Sequence, residues 1–278
     1  MPNFTRRQFI IASTITAGFA IAAQPITATV INTDSEGLIS GPVQIPVSDG
    51  EIPAYRAMPA TGTNFPIILV IHEIFGVHAY IQDVCRRLAK QGYLAIAPAL
   101  FTRQGDVSQL TDIPTIFSQV VSKVPDQQVM ADLDATVNWA INSSNGNGDK
   151  LGITGYCWGG RITWLYAAHN PQVKAGVAWY GLLNGERKEL TPKQPVDIVS
   201  SLTAPVLGLY AGQDDYVPND QVLEMEKQLK MSNSASKIIV YPDLPHGFHA
   251  DYRPTYREAE AKEAWAKLLA WFKKHGVV

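Results

Sequence analysis

The chain reads as an α/β protein built on a mostly parallel, doubly wound sheet with an antiparallel hairpin at its N-terminal side. Three observations predict this. Short, β-branched, continuously apolar runs recur along the sequence, as strands buried on both faces of a parallel sheet require. Between them lie segments whose apolar residues recur at helical spacing. Near the start, two alternating runs flank Ser48-Asp49-Gly50, and Asp-Gly between such runs is a strong hairpin signal.

In chain order, the hairpin runs are Val43 to Val47 and Ile52 to Met58. Buried strands are expected at Pro66 to Ile71, Tyr93 to Ala97, Leu151 to Thr154, Ala175 to Trp179, Pro205 to Tyr210 and Lys237 to Tyr241. Helices are expected at His78 to Gln91, Asp126 to Asn142, Gly159 to His169, Pro218 to Met231 and Thr255 to His275. Their alternation with the strands argues for an open α/β sheet. Gly181 to Thr203 reads as a loop or partial lid. With 278 residues, 46% of them hydrophobic, the chain can bury a full core, and residues 41–278 are expected to form one domain.

The first residues differ from the rest. Arg6-Arg7 precedes an uncharged stretch from Phe9 to Ala23 that ends in Ala20-Ile21-Ala22, a small-residue cleavage pattern. Residues 1–23 therefore read as an export signal, followed by a polar, unpatterned linker over 24–40. Adjacent arginines followed by Phe9 resemble a twin-arginine signal, which implies the twin-arginine export machinery as a partner of the precursor and a periplasmic or secreted product. A formal charge of −2, without a Lys/Arg stripe, argues against nucleic acid as a partner. Cys85 and Cys157 are the two cysteines, too few for a disulfide framework. Cys85 falls on the apolar side of a helical pattern and is expected in the core.

Chemistry is expected where strands end, because open α/β sheets gather functional groups outside their carboxyl ends. Gly155-Tyr156-Cys157-Trp158-Gly159-Gly160 places a thiol at a strand-to-helix turn, with glycines that allow a strained backbone and close packing. Pro66 to Ile71 runs into His72-Glu73-Ile74-Phe75-Gly76. Pro205 to Tyr210 runs into Ala211-Gly212-Gln213-Asp214-Asp215. Lys237 to Tyr241 leads to Leu244-Pro245-His246-Gly247-Phe248. Nucleophile, acid and histidine, each after its own strand, is the order of an α/β-hydrolase triad. A histidine can draw the proton from a thiol and stabilise the thiolate. Backbone N–H groups of Trp158 and Ile74 stand where oxyanion donors are expected. No histidine follows His72-Glu73 at zinc-site spacing, so neither metal nor cofactor is expected.

These same motifs, His72 to Val77, Gly155 to Gly160, Gly212 to Pro218 and His246-Gly247-Phe248, resemble those of the dienelactone hydrolase (carboxymethylenebutenolidase) family, over about Val43 to Trp271. The resemblance implies an α/β-hydrolase fold and hydrolysis of a small carboxylic ester or lactone through a thioester on Cys157. It implies Asp214 and His246 as triad partners, with Asp215 as rival for the acid, and Glu73 as an acid that holds the thiol protonated until substrate arrives. Arg103 matches an arginine that pairs with a substrate carboxylate in the family. Phe75 and Tyr180 are further substrate-binding candidates. The family's second such arginine falls a few residues after the catalytic histidine, where this chain has His249-Ala250 and Arg253 only later. A monomer is expected. Two other readings are a non-catalytic binding protein on the same scaffold and thiol redox chemistry at Cys157, the latter without a neighbouring resolving cysteine.

Overall fold

The computed structural model describes residues 30–278. Eight strands form one sheet: β1 (Leu38–Val47), β2 (Gly50–Pro59), β3 (Phe65–Ile71), β4 (Leu94–Pro98), β5 (Gly146–Tyr156), β6 (Val173–Trp179), β7 (Val206–Gln213) and β8 (Lys237–Pro245). Their spatial order is β1-β2-β4-β3-β5-β6-β7-β8. Pairs β1·β2 and β2·β4 are antiparallel and the rest are parallel. The hairpin closes with Val47 opposite Gly50, whose φ of +145° suits only glycine.

Among the described residues six α-helices accompany the sheet: α1 (Ala79–Ala89), α2 (Ile113–Gln119), α3 (Asp126–Ser143), α4 (Trp158–His169), α5 (Asn219–Met231) and α6 (Glu258–Lys274). Tyr80, Val84 and Leu88 of α1 share one core with Leu268 and Phe272 of α6. Leu133 of α3, Ile162 and Trp164 of α4, and Val222 and Met225 of α5 belong to the other. The sheet is thus covered on both faces, as the continuous apolar runs of β3 and β4 require. Burying each such large side chain contributes about 1.5–3 kcal/mol.

The connectivity explains where the site lies. From β3 the chain steps to β4 on one side, then crosses to β5 on the other side of β3. Strand order therefore reverses between β3 and β5, and a crevice opens at their carboxyl ends. Ile71 pairs with Gly155 there, so the residues after each strand are neighbours.

Three features depart from expectation. Strand β1 begins at Leu38, inside the expected 24–40 linker, because the preceding residues are fastened to α1. Thr33 N–H donates to Asp83 Oδ1 (2.6 Å), Arg86 Nε donates to the Thr33 carbonyl (2.7 Å), and Lys90 pairs with Asp34 (2.6 Å). Helix α2 has no counterpart among the expected helices. It is short, and its start is set by the Asp112 carboxylate, which accepts from Thr115 N–H, with a proline in the first turn. The 181–203 segment contains a 3₁₀ turn, Pro195–Ser201, and is tied down: Arg161 donates to both oxygens of Asp126, to the Lys193 carbonyl and to Gln194 Oε1. The export signal over 1–23 and the first part of the linker lie outside the described residues. No helix among the described residues is long and apolar enough to cross a membrane.

Candidate active site

Cys157 sits between the last residue of β5 and the first of α4, with φ 54° and ψ −113°. Such a conformation strains a non-glycine residue and throws its side chain outward. The glycines around it make the turn possible. A Cβ on Gly155 would lie 2.1 Å from the Gly159 carbonyl oxygen, and one on Gly159 would lie 2.3 Å from the Ile71 carbonyl oxygen. Strand and helix therefore approach to backbone contact, and Cys157 lies at the N-terminus of α4.

His246, just past β8, is buried and bonds through Nδ1 to Asp214 Oδ2 at 2.8 Å. The other carboxylate oxygen, Oδ1, accepts from Tyr216 and Val217 N–H at 2.8 and 3.0 Å, which fixes Asp214 in the turn after β7. Asp215 is exposed, and Asp214 is the acid brought to the imidazole. Burial alone would push the His246 pKa down. The facing Asp214 carboxylate and the Cys157 side chain outweigh it and raise it to about 10. Tyr180 and Tyr216 stand edge-on to the imidazole, with ring centroids 4.9 and 5.0 Å away. Tyr180 itself has φ 39°, a second strained residue beside the first.

A cavity of about 180 Å³ opens in front of Cys157. Its walls include His246, Ile74, Trp158, Tyr180, Tyr216 and Phe117. Among the described residues, neither Ile74 N–H nor Trp158 N–H donates in the turn, loop and cap hydrogen bonds. Both expected donors thus belong to residues that line the cavity with the thiol.

Glu73 is fully buried at the floor of the loop after β3. Its Oε1 accepts from Arg253 (2.8 Å), its Oε2 accepts from the Tyr252 hydroxyl (2.5 Å), and His78 Nε2 lies 3.6 Å away. Burial would raise its pKa, but Arg253, His78 and Tyr252 together lower it to about 2. Both carboxylate oxygens are thus engaged by the loop that follows His246, and the residue serves first as a tie between two strand-end loops. Tyr252 and Arg253 were not among the expected site residues. Arg253 follows the histidine at a distance that no motif marks, and only the fold shows it reaching Glu73.

Two expected substrate contacts lie away from the Cys157 cavity. Arg103 does not line the Cys157 cavity: its guanidinium pairs with Asp49 of the hairpin turn and Asp132 of α3, so its charge is already spent. Phe75 points to a different cavity, behind the loop, and lies under the Arg253 guanidinium at 5.2 Å. Conversely, Phe117, Tyr216, Leu182 and Val217 line the Cys157 cavity without having been singled out in the sequence. Cys85 is buried in α1, burial pushes its thiol pKa up, and both cysteines are free. Among the described residues no group of three or more His, Cys, Asp or Glu could hold a metal ion.

With this geometry in place, comparison with known proteins is decisive. The family model described as "Dienelactone hydrolase family" matches residues 52–276. The chain belongs to the dienelactone hydrolase family. It is 57% identical over 272 residues to a Methylorubrum extorquens protein provisionally named carboxymethylenebutenolidase, covering 98% of this chain and 94% of that one. A similarly named Escherichia coli K12 protein is 51% identical over 266 residues, covering 95% and 98%. Among solved structures, a crystal structure from Klebsiella pneumoniae, provisionally described as a dienelactone hydrolase, shares 54% identity. It has a TM-score of 0.83 and covers 85% of this chain and 98% of that one. As a member of the dienelactone hydrolase family, the protein has the α/β-hydrolase fold and is a carboxylic ester hydrolase.

Proposed function

We propose that this protein hydrolyses a small carboxylic ester or lactone by nucleophilic catalysis at Cys157. The observation that carries the reading is the strained Cys157 sharing a cavity with His246, whose other nitrogen is bonded to the buried Asp214 carboxylate. His246 takes the proton of the Cys157 thiol, Sγ attacks the carbonyl carbon as the thiolate, and the oxygen that takes the electron pair is received by the N–H groups of Ile74 and Trp158. Each donor contributes roughly 3 kcal/mol at the transition state. His246, kept protonated by Asp214, gives its proton to the departing alkoxide as the C–O bond breaks, leaving a thioester. Water then attacks the thioester, His246 takes the water proton, and the C–S bond breaks to release the acid. Glu73, fixed by Arg253 and Tyr252, holds the neighbouring Ile74 N–H in place.

A cavity of about 180 Å³, walled mainly by aromatic and aliphatic side chains, fits a compact substrate. The lactone alternative has support from a Bradyrhizobium protein provisionally named a 2-oxo-3-(5-oxofuran-2-ylidene)propanoate lactonase, 30% identical over 225 residues. In that reading the leaving alkoxide stays tethered to the acyl group. Export through the twin-arginine pathway to the periplasm or beyond is part of the proposal, supported by Arg6-Arg7 and the Ala20-Ile21-Ala22 pattern. Assay of the purified protein on p-nitrophenyl acetate and a panel of five-membered lactones tests the reaction. Turnover that Cys157→Ala abolishes is the expected result, and equal turnover in both proteins contradicts it.

A further inference from the structure

We infer that the cavity behind the oxyanion loop is a second ligand site, one that takes an uncharged aromatic molecule such as a phenol or naphthol. This cavity measures about 430 Å³, well over twice the one at Cys157, and shares no lining residue with it. The loop itself is the partition. Ile74 faces the thiol, while its neighbour Phe75 faces the larger cavity. His72 closes the base between them, stacked on Trp158 on one side and edge-on to Phe101 on the other.

The lining states the ligand chemistry. The walls are largely apolar, with Pro53, Ala54, Phe75, Val77, Phe101 and Val107, interrupted by the polar groups of Tyr55, His72, His78 and Gln82. Phe75 and Phe101 offer ring faces and edges against which a flat aromatic ring gains contact beyond simple area burial. No lysine or arginine lines the cavity. Arg103, the nearby cation in sequence, is turned onto Asp49 and Asp132. The carboxylate present is Asp106, exposed at the mouth with Thr102 and Ser108. An anionic ligand would meet that carboxylate with no lysine or arginine in the lining to offset it, whereas a hydroxyl could donate to it. Volume, largely apolar walls and a few polar groups are the marks of a small-molecule site.

Occupancy there would bear on the Glu73 anchor. Phe75 packs under Arg253, which holds Glu73, and His78 lies against Glu73 while lining the larger cavity. The site does not depend on the proposed reaction, and its test leaves Cys157 chemistry aside.

Binding of 2-naphthol, followed by titration calorimetry, tests the inference on the purified protein before and after alkylation of Cys157 with iodoacetamide. The alkylating group obstructs the thiol cavity, and Cys85 is buried out of reach. Saturable binding is expected in both, with dissociation constants within about twofold of each other. Val107→Phe, which narrows the cavity, and Thr102→Trp, which obstructs its mouth without touching the core, should each weaken binding at least about tenfold. The anion 2-naphthoate should bind at least about tenfold more weakly than 2-naphthol. Any of four results overturns the inference: no saturable binding, loss of binding on alkylation, unchanged binding in both folded variants, or equal binding of 2-naphthoate.

Discussion

At the scale of single residues, the site is a set of buried charges held by named partners. Arg253 and Glu73 are both fully buried, and removing one partner strands the other charge. Arg253→Met should destabilise the protein by about 3–5 kcal/mol. At roughly 2–4 °C per kcal/mol for a chain of this size, thermal unfolding should show a fall on the order of 10 °C. The pH dependence of this pair has a definite sign. Glu73 is lowered to about 2, below its unfolded value, so its contribution is complete above the ordinary carboxylate range and is lost as pH falls through about 2. His246 behaves oppositely. Raised to about 10, its contribution is present below an unfolded value of about 6.5 and is lost as pH rises from there through about 10. His246→Gln should therefore flatten the alkaline limb of a melting-temperature profile while leaving the acid limb in place.

At the scale of elements, the strand-to-helix turn was legible in sequence because its constraint is local. Gly155 and Gly159 flank the thiol at a spacing that only close packing demands, and the added-Cβ contacts of 2.1 and 2.3 Å state the cost of changing them. Gly159→Ala should destabilise the fold by more than the ~1 kcal/mol gain in helix propensity that alanine offers, seen as reduced soluble yield and melting temperature. The strands after which Glu73, Asp214 and His246 follow were also readable, since each is an apolar run ending in polar turn residues. What the sequence could not reveal was non-local. Helix α2 is seven residues with a weak pattern, yet it brings Phe117 to the cavity. Arg103 lies in a motif-like stretch, but Asp49 and Asp132, far away in the chain, capture it. Arg253 reaches Glu73 across 180 positions. Phe117→Ala should raise KM for an apolar ester by about fivefold, through loss of roughly 1 kcal/mol of contact, with kcat little changed.

At the scale of the whole molecule, strand order does the assembling. The reversal between β3 and β5 places the Ile74 loop beside the Cys157 turn, and successive parallel strands deliver Asp214 and His246 to the same edge. Contacts between Glu73 and the 252–253 segment then tie the first of these loops to the last. Residues 33–36 are in turn fastened to α1 and the following Lys90, so the folded body extends closer to the proposed export signal than composition implies. If that signal operates, replacing Arg6-Arg7 by Lys-Lys should leave the protein in the cytoplasmic fraction, as read by fractionation. The central claim is that Cys157 becomes acylated during turnover, and the most direct measurement is intact-protein and peptide mass spectrometry after rapid acid quench with p-nitrophenyl acetate. One acetyl group on the peptide containing Cys157, formed at a rate matching turnover and removed by hydroxylamine, is the predicted result. Full turnover with no acetyl group on that peptide, or undiminished turnover by Cys157→Ala, would contradict it.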